Sequence, residues 1–232
     1  MFVRKIIALP LLFSLILGFH LSGQSQSLKF GLKAGFNISN HTDKFRNYEG
    51  NQLTPESALG YQAGLLARAK LNQLLKTSLE PSLMMLGANY NESVTLNGRE
   101  FQTDTRSNLL YLHLPVLLHF YQEPKINSRT VYGNQLVQYS YHFTIGLFGE
   151  YLLSARLTGD NIDGNLTRSV SEDVIDNYSK YDAGGVVGFG MEFIEKFGFD
   201  IRFQHTFLQT YNGNPRLKPK NFAFKLSFVY LL

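Results

Sequence analysis

The chain has 232 residues, 17% of them charged, and no cysteine. That length suits one domain, and the missing thiol excludes disulfides, thiolate metal sites, thiol catalysis and a lipid-modified cysteine. A formal charge of +4 and an isoelectric point near 9.1 fall to 20 bases against 18 acids once Arg4 and Lys5 are assigned to a leader, and no Lys/Arg run remains to hold nucleic acid.

The leader comes first. Met1 to Lys5 supplies a positive start, Ile6 to Leu17 an apolar core, and Ser22, Gly23 and Gln24 a small-residue cleavage region. The sequence therefore reads as a signal peptide over 1–23 followed by one barrel domain over 24–232. The apolar core is short for a spanning helix, and no later segment reaches that length, so any insertion into a bilayer uses strands.

From residue 28 the pattern has a period of two. Leu28, Phe30, Leu32, Ala34, Phe36 and Ile38 alternate with Lys29, Gly31, Lys33, Gly35, Asn37 and Ser39, which gives a strand with one apolar and one polar face. Further strands follow at 58–70, 76–90, 108–120, 139–153, 181–194 and 197–209. The last, 221–232, sets Phe222, Phe224, Leu226, Phe228, Tyr230 and Leu232 against Asn221, Ala223, Lys225, Ser227 and Val229. The sequence thus predicts an all-β fold, an eight-stranded antiparallel up-and-down transmembrane β-barrel. Each strand exceeds the roughly 9–11 residues that a tilted membrane strand needs.

The connections 41–57, 91–107, 154–180 and 210–220 read as polar loops, mostly long. Those near 71–75 and 195–196 are short, and 121–138 breaks the trend. Short turns in the periplasm and long loops outside would put both ends of the domain on the periplasmic side. Pro81 and Pro115 fall inside strands, where a closed barrel has no edge to tolerate them, so bulges or bends are expected at both.

Alternation alone does not separate a lipid-facing barrel from a soluble one with an apolar interior. The polar face decides it, because Gly31, Gly35, Gly60, Gly64, Gly146, Gly184, Gly188 and Gly190 share it with ionisable residues. Glycine weakens a solvated strand face, but it makes room inside a narrow barrel. Tyr90, Phe120, Tyr121, Tyr139, Tyr151, Tyr181, Phe193, Phe197 and Tyr230 lie near strand ends and fit interfacial aromatic girdles.

Three segments carry a family resemblance: Ser78-Leu-Glu-Pro-Ser-Leu, Tyr111-Leu-His-Leu-Pro-Val-Leu-Leu and Ala183-Gly-Gly-Val-Val-Gly-Phe-Gly-Met-Glu-Phe. With Phe199-Asp-Ile-Arg-Phe-Gln-His-Thr-Phe and the last strand, they resemble the PorT-like outer-membrane β-barrel family of Bacteroidetes. The resemblance implies an outer-membrane location and, from the member that names the family, a part in type IX secretion and gliding. The chain departs from the family at His113, where an acid is common, and at Leu231-Leu232, where outer-membrane barrels commonly end in Phe or Trp.

The ionisable residues of the inward face are Lys33, Arg68, Glu80, His113, His119, His142, Glu150, Asp182, Glu192, Asp200, Arg202 and Lys225. Charges in a narrow lumen must be paired to be tolerated, so the expectation is a salt-bridge and hydrogen-bond network filling the barrel. His113 and His119, six residues apart on a strand, lie about 20 Å from each other and do not share a metal. Ser107, Ser154 and Ser171, with His41 and His205, lie near or in the loops, but no spacing links them as nucleophile and base. The Gly-Phe-Gly of 188–190 lacks the Lys-Ser/Thr of a phosphate loop.

The sequence therefore predicts no catalytic residue, no metal and no cofactor. It predicts a non-enzymatic outer-membrane barrel, touching outer-membrane lipid, that serves as a scaffold or binds a protein partner through its loops or periplasmic turns. A type IX-like secretion component and a narrow small-solute porin are the alternatives.

Overall fold

The computed structural model describes residues 28–42, 45–46, 52–96, 99–122, 125–127, 137–163, 166–193, 196–208, 210 and 220–232. The leader read over 1–23 lies outside them, as do most of the connections 121–138 and 210–220 and part of 41–57 and of the 195–196 turn.

Eight barrel strands are present: β1 (Leu28–His41), β2 (Glu56–Lys70), β3 (Leu75–Leu79, continued by Ser82–Leu96), β4 (Arg99–Tyr121), β5 (Val137–Asp163), β6 (Tyr181–Phe193), β7 (Phe197–Thr206) and β8 (Asn221–Leu231). Each pairs antiparallel with the next along the chain. β8 returns to β1 from Gly31 opposite Leu231 to His41 opposite Asn221, which closes the ring and leaves no open sheet edge at membrane depth.

The faces settle which solvent the barrel is built for. Phe30, Phe36, Leu59, Leu147, Ile201 and Phe224 point outward and are 56–65% exposed, whereas Lys33, Glu80 and Arg202 are 1–6% exposed. Outward positions of the described strands bear no charged side chain from Leu28 to Ile38, Leu59 to Ala67, Asn108 to Phe120, Tyr139 to Leu153 or Phe222 to Tyr230. An apolar exterior around a charged interior is a barrel for lipid.

The aromatic belt is only partly as read. Phe120, Tyr151, Tyr181 and Phe197 lie exposed on the outer face, and outward rings pair as Tyr151 with Tyr181 and Phe197 with Tyr230, each at 5.2 Å. Tyr90 and Tyr121 instead point into the lumen and are 8% and 7% exposed. Neighbouring residues on a strand face opposite ways, so Phe120 and Tyr121 do not share a girdle.

Two of the expected polar loops are strands. β4 has 23 residues and β5 has 27, about twice what a crossing needs, so both leave the bilayer still paired. β3 and β4 stay in register out to Leu96 opposite Arg99, β4 and β5 out to Phe101 opposite Asp163, and β5 turns back into a further strand, Leu166–Asp173. A four-stranded sheet thus rises from one side of the rim where 91–107 and 154–173 had been expected as loops. Polarity reports that these residues face water and says nothing of their backbone pairing.

The two prolines behave differently. β3 is interrupted at Glu80-Pro81, the expected break. Pro115 sits in an unbroken β4, with no bulge. Its carbonyl accepts the Glu80 N–H at 3.2 Å, so the edge of Pro115 that lacks a donor faces the interruption in β3, and the bond missing from the ladder is the return one to the Glu80 carbonyl. The register shift of β4 against β5 falls instead beside Leu110 and Tyr111, where Leu153 is the extra residue.

Candidate functional site

The lumen is the candidate site. Its side chains come from every other residue of each strand, so functional groups far apart in sequence meet across the axis. Among the described residues all twelve ionisable positions read from the sequence are buried, at no more than 6% exposure.

The central group joins three strands. Lys33 of β1 donates to Glu80 Oε2 at 2.7 Å, and Arg202 of β7 grips the same carboxylate with both terminal nitrogens, at 2.6 and 3.1 Å. Ser78 Oγ adds a fourth hydrogen bond at 2.9 Å, so the acceptor sites of Glu80 are filled. Arg202 also holds Asp200, two residues along the same face, at 2.6 Å, and Lys33 lies 3.7 Å from it. The break in β3 carries Glu80 itself, which ties the proline-induced interruption to the middle of the network.

Two histidines flank this group. His142 Nε2 lies 3.1 Å from Asp200 Oδ1, and His119 lies 2.7 Å from Ser78 Oγ and 2.9 Å from Thr144 Oγ1. Their rings meet edge to face at 5.2 Å. Gly190 stands in register between His142 on β5 and Asp200 on β7, and a Cβ there would collide with both side chains. Glycine here is the condition for the large groups beside it.

A second group lies toward the long-loop end. His113 Nδ1 sits 2.8 Å from Glu150 Oε1, His113 Nε2 lies 3.3 Å from Lys225 Nζ, and Gln204 accepts from Lys225 at 2.7 Å while donating to Glu150 at 3.3 Å. Asp182 faces Glu150 across the ladder and takes hydrogen bonds from the Ala183 N–H and Thr210. A third group closes the short-turn end, where Glu192 pairs with Arg68, accepts from Lys76 at 3.1 Å and from the Tyr121 hydroxyl. Lys76 also lies over the Tyr121 ring, 3.8 Å from its centre.

The interior is not wholly ionic. Met84, Leu86, Leu109, Tyr111, Leu152, Ala155 and Ala223 form an apolar layer at the long-loop mouth. The chain leaving the external sheet turns over them, with Tyr178 buried in the layer and Val174 and Ile175 packed against it, and the Val174 N–H donates to Ala155 O at 3.0 Å. The lumen is thus crossed by paired charges and covered at one end by residues 174–178.

The sequence reading missed this apolar layer, Gln204, Ser78 and Lys76. Lys76 and Ser78 share the parity of Glu80 and could have been found from it. The apolar layer gives no such signal, because Leu109 to Leu112 is apolar on both faces.

The serine and histidine candidates fare differently. Ser107 and His41, which no spacing linked, approach to 3.5 Å inside the lumen. Ser107 is fully buried and its hydroxyl is engaged by the N–H and carbonyl of Ala88, so the pair is a packing contact. His113 lies in the second group and His119 in the first, and no cluster of three or more His, Asp or Glu among the described residues is arranged for a metal.

A closed eight-stranded ring with an apolar exterior and a paired, charged interior defines a small outer-membrane β-barrel. The chain belongs to the outer membrane protein beta-barrel domain family, whose model matches residues 24–212. Among solved structures it is similar to Ail, the attachment invasion locus protein of Yersinia pestis, in complex with the heparin analogue sucrose octasulfate, at 12% identity over 89% of this chain and 99% of that one, with a TM-score of 0.38. It is similar also to Neisserial surface protein A, at 10% identity, 89% and 99% coverage and a TM-score of 0.39. The N-terminal β-barrel domain of Pseudomonas aeruginosa OprF follows at 10% identity, 86% and 97% coverage and a TM-score of 0.28. No curated protein matches the sequence.

Proposed function

We propose that this protein is a non-enzymatic outer-membrane barrel that works as a scaffold or binding platform, with a lumen sealed by its own side chains. The observation that carries the reading is the Lys33–Glu80–Arg202–Asp200 group, which spans the axis from β1, β3 and β7 with each charge engaged by an opposite one. An eight-stranded ring leaves an interior just wide enough for side chains, and these fill it. The sheet of β3, β4, β5 and Leu166–Asp173 then supplies a paired, water-facing surface outside the membrane, more rigid than loops and suited to contact with a partner.

The seal argues against the small-solute pore. Purified protein in planar bilayers should give no stable conductance steps, and large steady steps would overturn the reading. The leader and its cleavage after Gly23 belong to the same proposal, and the N-terminal mass of protein from outer membranes tests them. The narrower PorT-like assignment rests on the strand segments quoted above, and deletion of the gene with unchanged export of type IX cargo would remove it.

A further inference from the structure

The external sheet leaves one of its strands with a single partner. Leu166–Asp173 pairs with β5 over its whole length without a register shift, and among the described residues no other strand meets its far edge. The opposite edge of the sheet is held, since Glu56 of β2 pairs with Asn89 of β3 and accepts from Asn91 at 3.1 Å. Seven of the eight residues of Leu166–Asp173 are exposed, and Val170 is half-buried. Natural sheets guard such edges with proline, lysine or a bulge, and Leu-Thr-Arg-Ser-Val-Ser-Glu-Asp has none of these.

The phase of the ladder decides which groups that edge offers. The Val174 N–H donates to Ala155 O, so every second residue back along the strand, Glu172, Val170, Arg168 and Leu166, also turns its backbone groups toward β5. Thr167, Ser169, Ser171 and Asp173 turn theirs to the far edge, where another strand can be added. On that side Arg168, Val170 and Glu172 fall at non-hydrogen-bonded positions, where facing side chains come closest. On β5 they face Asn161, Gly159 and Leu157, so neither charge meets an opposite one directly across the ladder.

We infer that this edge receives an extended segment of a protein partner, added as an antiparallel strand whose residues read basic, any, apolar, any, acidic from its N-terminus. That order sets the basic residue against Glu172, the apolar one against Val170 and the acid against Arg168. A second copy of this chain does not fit. In the same membrane its barrel points the same way, so its edge is not antiparallel, and a parallel in-register pairing sets Arg168 against Arg168 and Glu172 against Glu172. The inference rests on the external sheet being a binding platform, and it names the edge and the chemistry of what that edge binds.

The test uses the full barrel in nanodiscs and a fluorophore-labelled peptide of sequence Leu-Thr-Arg-Ser-Val-Ser-Glu-Asp, which itself has the required order, followed by anisotropy. Saturable binding is expected. Exchanging Arg and Glu in the peptide should weaken it about tenfold, and Arg168→Glu/Glu172→Arg in the barrel should restore binding of the exchanged peptide. Methylating the backbone nitrogen of either peptide serine, which faces the edge, should abolish binding, while methylation at its valine, which faces away, should leave it intact. Heat-modifiable gel mobility certifies that each variant is folded. Absence of binding, or binding insensitive to the charge exchange and to the position of the methyl group, overturns the inference. So does photo-crosslinking of the peptide to β3 or β4 with none to residues 166–173, an outcome that would leave the platform itself standing.

Discussion

Replacing Arg202 by methionine tests the luminal network at its most connected member. The side chain is 2% exposed and makes three charge-assisted hydrogen bonds, two to Glu80 and one to Asp200. Methionine fills much of the volume but leaves Glu80 and Asp200 sharing Lys33 as their nearest cation. Removing one partner of a buried ion pair costs about 3–5 kcal/mol, and that is the loss expected for Arg202→Met in urea unfolding from phospholipid vesicles. The second substitution Glu80→Gln restores the balance, since Lys33 and Asp200 remain as a pair 3.7 Å apart. The double variant should therefore be less impaired than the sum of the two single ones by roughly 2–3 kcal/mol. Additive losses would mean that these charges act independently and that the network is only a list of neighbours.

Gly190→Val places a side chain against His142 and Asp200 and should abolish the heat-modifiable folded band, whereas Gly149→Ala, where a Cβ meets nothing within 4 Å, should fold as well as the unsubstituted chain. Ile201→Arg, at a position 62% exposed near the middle of β7, should cost about 2–4 kcal/mol in a bilayer, and an unchanged or improved stability would argue against a lipid-facing exterior. Ile175→Ala/Tyr178→Ala should loosen the cover over the apolar layer, read as faster proteolysis between 174 and 180, while planar-bilayer conductance stays low because the ionic groups below remain. New steady conductance in that variant would locate the seal in the cover instead.

Strand number and strand order were legible because a period of two survives wherever one face is polar. Lys33, Glu80, Asp200 and Arg202 could be assigned to one face from parity alone, since their neighbours Leu32, Leu79, Ile201 and Phe203 are apolar. Parity says nothing about which groups meet across the axis; that depends on stagger, which the sequence does not display. It also fails from Leu109 to Leu112, where both faces are apolar, so the layer under residues 174–178 stayed hidden.

Other misreadings share a cause. Tyr90 and Tyr121 were placed in the aromatic girdle by residue type, although Tyr121 has the parity of His119. The segments 91–107 and 154–173 were read as loops because they are polar, but a hairpin in water needs backbone partners and no buried face. Pro115 was expected to bend β4, and it does not, because the proline of the neighbouring strand interrupts β3 beside it.

The claim beneath the whole account is the direction of the two faces, and the absence of cysteine allows it to be read one residue at a time. Single cysteines at Phe224, Lys225, Leu226, Ser227 and Phe228, each carrying a nitroxide in phospholipid vesicles, would report contact with a lipid-soluble relaxant. Strong contact at 224, 226 and 228 and weak contact at 225 and 227 is the expected alternation. The reverse phase, or no alternation, would contradict a barrel with its apolar face in lipid and its charges inside.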